Sequence, residues 1–85
     1  MDSLAILDSG NYAFRLCNIL EKQGFEIEVI SVPCQIAKDG CSYCLKFPLE
    51  YKDEVMNAGS ANGLVVREMY NIIPMFSKNK YEKIY

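Results

Sequence analysis

The apolar positions change period several times along the chain. Leu4 to Leu7 form a short apolar run, which predicts a buried strand. Asp8-Ser9-Gly10-Asn11 follows, with turn and helix-capping character. The period then becomes helical. Ala13, Leu16, Cys17 and Leu20 fall on one stripe, with Arg15, Asn18, Glu21 and Lys22 on the other side. Gly24 is a natural stop for that helix. Phe25, Ile27 and Val29 then alternate with Glu26 and Glu28, which predicts a strand with one buried side.

Val32-Pro33 ends this strand. Cys34 to Gly40 reads as a loop with a turn at Lys38-Asp39-Gly40. Tyr43, Leu45 and Phe47 alternate with Cys44 and Lys46 in a third strand, closed by Pro48. From Leu49 to about Ala58 the residues favour a second helix, with Tyr51, Val55 and Met56 facing inward and the small residues of 59–63 breaking it. Leu64 to Ile73 fits helical spacing at Val66, Met69, Tyr70 and Ile73, yet its residue types favour a strand. Strand is the expectation, because the sheet edge needs a partner, and Pro74 ends it. The tail 74–85 is charged and aromatic, and is compatible with loose docking or with a further short strand.

The resulting order is β-α-β-β-α-β. It predicts an α+β, ferredoxin-like split βαβ fold, with a four-stranded antiparallel sheet and two helices on one face. Leu45 and Phe47 would point to the helices, and Cys44 and Lys46 to the other face, which is left open or used for assembly.

Composition narrows the function more than the fold. With 85 residues and no repeat or linker, residues 1–85 form one domain. An apolar fraction of 51% and a charged fraction of 24% fit a globular chain. The net charge of −2 gives no basic footprint for nucleic acid, and Glu82 interrupts the basic tail of Lys78, Lys80 and Lys83. No apolar run is long enough for a membrane span, and the N-terminus lacks the features of a signal peptide, so the cytoplasm is the expected compartment. There is no histidine, which excludes Ser-His and Cys-His pairs and any imidazole metal ligand.

Four cysteines remain as candidate chemistry. In a reducing compartment such thiols are free, metal-bound or redox-active more often than structural crosslinks. Cys17, on the helical stripe, reads as a small core residue. Cys41-Ser42-Tyr43-Cys44 is a C-x-x-C that leads into a strand, so the helix N-terminus that activates such a pair in thioredoxin-type enzymes does not follow it. Cys34 lies seven positions before Cys41 on the same loop. Cys34, Cys41 and Cys44 would give three thiolates to a metal, one fewer than a closed zinc site needs.

The strand-helix-Gly24-strand pattern, Val32-Pro33, the eight-residue interval to Cys41 and Leu45-Lys46-Phe47-Pro48 together resemble the selenium/sulfur carrier protein-like family. The resemblance runs from about Leu4 to Tyr70. It implies a carrier rather than an enzyme, with no cofactor, in which Cys41 accepts sulfur or selenium as a persulfide or selenopersulfide. Cys44 and Cys34 would then be resolving thiols. The partners implied are protein donors and acceptors of the carried atom, with no nucleic acid and no membrane, and a homodimer is compatible with the open sheet. Two positions depart from the family pattern. Cys34-Gln35 follows Pro33 where an arginine is common, which removes a cation and adds a thiol, and Ser42 stands where a glycine usually follows the motif cysteine.

Overall fold

The computed structural model describes residues 1–37 and 42–85. The Lys38-Asp39-Gly40 turn and Cys41 lie outside the described residues. Among the described residues, five strands and two α-helices follow the order β1 (Asp2–Ile6), α1 (Gly10–Lys22), β2 (Glu28–Ser31), β3 (Tyr43–Pro48), a single 3-10 turn at Leu49–Tyr51, α2 (Lys52–Ala61), β4 (Glu68–Pro74) and β5 (Asn79–Lys83).

Each boundary has a local cause. The Ser9 side chain accepts a hydrogen bond from the Tyr12 amide at 3.3 Å and starts α1. Both helices end alike. After α1, the Phe25 amide returns to the Leu20 carbonyl and the Gly24 amide to Glu21. After α2, Leu64 returns to Gly59 and Gly63 to Ser60. This double return needs a left-handed residue just past the helix, supplied by Gly24 at φ 94° and Gly63 at φ 69°. The second helix therefore does not break at Gly59. A Cβ there would stand 2.6 Å from the Leu64 carbonyl oxygen, so Gly59 sits inside the helix to let the returning chain close over it.

The sheet order is β2-β3-β1-β4-β5, antiparallel at every step. The expectation of a four-stranded, ferredoxin-like sheet does not quite match: the tail pairs Asn79–Lys83 with β4 and adds a fifth strand. Of the two courses expected for the tail, the short strand is the one observed; an edge strand exposed on most sides carries no apolar period to settle the choice. Strand β2 also starts at Glu28 rather than Phe25, since the Phe25 amide closes the end of α1 on the Leu20 carbonyl.

Residues opposite one another in an antiparallel ladder share a face. Ala5, Leu45 and Met69 thus form one row, continued by Val29. They belong to the core under the helices, with Leu16, Leu20, Phe47 and Val55. Ser3 shares this side, buried, and its hydroxyl donates to Asn71 Oδ1 at 2.7 Å. Leu4, Lys46, Tyr70 and Glu28 form the opposite row. Leu4 and Cys44 on that second face are 0% exposed, so it is not bare. The turn after β2 and the β4–β5 hairpin approach each other and share a cleft of about 490 Å³ lined by Gln35, Ile36, Met75 and Tyr81 among others.

Candidate functional site

The predicted acceptor, Cys41, lies outside the described residues, so the site is built from the segments on either side of it. On the near side, Val32 donates to the Ser42 carbonyl at 2.8 Å, which extends the β2–β3 ladder to the residue that follows Cys41. On the far side, Pro33 opens a tight turn: its carbonyl accepts from the amides of Ile36 and Ala37, both at 3.0 Å. Cys34 stands in that turn and is exposed.

The other thiols have different surroundings. Cys44 is sealed in β3 opposite Ile30, and burial pushes its thiol up to about 11. Cys17 packs in the core under the helices, where its Sγ donates to the Ile27 carbonyl at 3.5 Å. Burial, and then the neighbouring Glu21 carboxylate, push that thiol up to about 11 as well. A thiolate is the nucleophile, so at neutral pH these two sulfurs are nearly unreactive where they stand. The expectation that Cys44 faces away from the helices holds, but covered rather than exposed. Among the described residues no cysteine forms a disulfide, and no three Cys, Asp or Glu side chains gather to hold a metal ion. The three-thiolate set would need Cys41.

Beside this segment sits a feature that the apolar periods did not reveal. Tyr43, two residues after Cys41, lays its ring against Gly10 in the first turn of α1. A Cβ on Gly10 would come within 3.1 Å of the Tyr43 ring. The Phe14 ring completes the contact, with centroids 5.3 Å apart and planes tilted by 59°. Both rings remain about half exposed, at 48% and 47%. Phe14 lies off the helical stripe of Ala13, Leu16, Cys17 and Leu20, and an aromatic on the polar side of an amphipathic helix was the signal available in the sequence. Nearby, Arg67 grips Asp8 with two hydrogen bonds of 2.8 and 2.9 Å and holds its carboxyl below the usual range.

A small α+β domain with two helices and a five-stranded antiparallel sheet, carrying cysteines around the β2–β3 connection, is the class that fold and site define. The chain belongs to the family described as Putative Se/S carrier protein-like, which matches residues 2–71. No curated protein and no solved structure matches it. No helix among the described residues is long and apolar enough to cross a membrane.

Proposed function

We propose that this protein carries sulfur or selenium on Cys41 between a donor and an acceptor protein, with Cys34 as the thiol that releases the cargo. The observation that carries the reading is the family match, whose span includes position 41. The thiol environments support it. Of the three described cysteines, Cys17 and Cys44 are buried with raised pKa values, whereas Cys34 is exposed on the connection that also holds Cys41.

The chemistry needs no cofactor. A Cys41 thiolate attacks the outer sulfur of a donor persulfide. The donor's S–S bond breaks, a new S–S bond forms on Cys41, the proton stays on the transferred sulfur and the donor leaves as a thiolate. For release, a Cys34 thiolate attacks the inner sulfur of Cys41. Hydrosulfide or hydroselenide leaves, and a Cys34–Cys41 disulfide remains, which a dithiol reductant returns to two thiols. Cys44 takes part in such exchange only when β3 exposes it. The Phe14–Tyr43 pair offers an apolar docking point next to the carrying segment for the partner protein.

The test is loading by a cysteine desulfurase with cysteine, read by cyanolysis and by intact mass. Wild type gains one sulfur, Cys41→Ser gains none, and Cys34→Ser loads but releases slowly. If wild type takes up no sulfane sulfur under conditions that load a working carrier, the reading is wrong. If Cys41→Ser loads like wild type, the acceptor assignment is wrong. A partner that binds Cys41→Ser and Cys34→Ser as it binds wild type, with no loading of either, points instead to a regulatory interaction module.

A further inference from the structure

Strand β5 (Asn79–Lys83) forms one edge of the sheet and lies beyond the family-matched residues 2–71. Its backbone polarity follows from its pairing with β4. The Met75 amide donates to the Lys78 carbonyl, and the Ile84 amide to Met69. Hydrogen-bonded positions alternate along an antiparallel ladder, so residues 80 and 82 turn their amides and carbonyls to β4, and residues 79, 81 and 83 turn theirs outward. That outward row is a template for another strand.

We infer that this edge pairs with β5 of a second copy of the chain, antiparallel and about a twofold axis at Tyr81, so that the two sheets become continuous. Charge selects the occupant and the register. Outward positions must meet outward positions, which leaves three close registers. Centring on 80 sets Lys80 against Lys80 beside two Lys78–Glu82 pairs, and centring on 82 sets Glu82 against Glu82. Centring on Tyr81 sets Lys80 against Glu82 of the second copy, twice, as twofold symmetry requires. Lys80 and Glu82 are both exposed, leaving them able to meet across such an axis. The other edge, Glu28-Val29-Ile30-Ser31, has no such self-complementary sequence.

The same register accounts for a second observation. It runs each hairpin tip, residues 75–78, towards residues 84 and 85 of the second copy. Phe76, at 108% exposure the most exposed large apolar side chain, with Met75 at 57% and Tyr85 at 52%, then gains apolar neighbours. This inference goes beyond the carrier reading and does not rest on it.

The experiment is sedimentation equilibrium of the full chain, with wild type, Lys80→Glu, Glu82→Lys and the double exchange compared. Wild type is expected to dimerise. Each single reversal, which sets like charges together twice, is expected to weaken the dimer by about tenfold or more, and the double exchange to restore it. Unchanged circular dichroism in the single variants keeps the readout on association. A wild type that stays monomeric at every soluble concentration overturns the inference. So does a dimer indifferent to both single reversals, or one that the double exchange fails to restore.

Discussion

Leu45 and Cys44 are neighbours on β3, both 0% exposed, yet they are buried by different means. Leu45 lies under α1 and α2, in a core whose members recur at regular helical and strand spacing. Cys44 lies on the opposite face, paired with Ile30 of β2. Regular elements bury one face, while Leu4 and Cys44 on the other are buried outside that core. The exposed Cys34 and the buried Cys44 stand on the turn after β2 and on β3. Burial keeps the Cys44 thiol protonated, whereas Cys34 is open to solvent.

The largest effects should come from deleting side chains on each face in turn. Leu45→Ala should cost about 2–5 kcal/mol in urea unfolding, and Leu4→Ala should fall in the same range if the second face is packed as a true interior. A value for Leu4→Ala well under 1 kcal/mol would mean that this face is only loosely covered. Next comes alkaline pH. The Cys44 thiol is raised from 9.0 to about 11 when folded, so the unfolded chain gives up that proton first. Stability from this group is complete below about pH 9 and declines as pH rises towards 11, by about 2–3 kcal/mol for a shift of this size. Cys44→Ala should shrink the decline to the part that the likewise raised Cys17 contributes, and Cys34→Ala should leave it as it is. An alkaline limb unchanged by Cys44→Ala would show that the thiol is not buried in solution.

Gly59→Ala probes the helix side more gently. Helix propensity favours alanine by about 1 kcal/mol, but the new Cβ would press on the Leu64 carbonyl at 2.6 Å. Overpacking of about 1–3 kcal/mol should win, lowering the urea midpoint, and a raised midpoint would contradict the close approach. The smallest change is expected for Asp8→Asn, which removes an exposed pair belonging to neither face. Because Arg67 lowers the Asp8 pKa, the pair stabilises above the usual carboxylate range and is lost as pH falls through the lowered value. Wild type and variant should therefore converge at acid pH and in high salt.

Much of the helix side was legible in the residues. The stripe of Ala13, Leu16, Cys17 and Leu20, the alternation of Leu45 and Phe47, and the stops at Gly24 and Pro74 correspond to the observed elements. These are local signals, set by periods of helix and strand and by dihedral demands at single residues. The fifth strand was not legible in the same way. Asn79-Lys80-Tyr81-Glu82-Lys83 has no buried face to impose a period, and its place depends on β4 offering an unpaired edge. Of the candidate thiols, the core role of Cys17 was readable from the helical stripe. The burial of Cys44 was not, since alternation states only that it faces away from the helices.

The sequence by itself determined the periodic elements, their caps and the side of β3 on which each residue stands. Tertiary structure decided what covers each side, which edge receives the tail, and which sulfur meets water. Period and capping act over one or two turns of chain and are written in neighbouring residues. Tertiary contacts join segments far apart in sequence, such as Gln35 and Tyr81 or Phe14 and Tyr43, and those meet only after the sheet has been assembled.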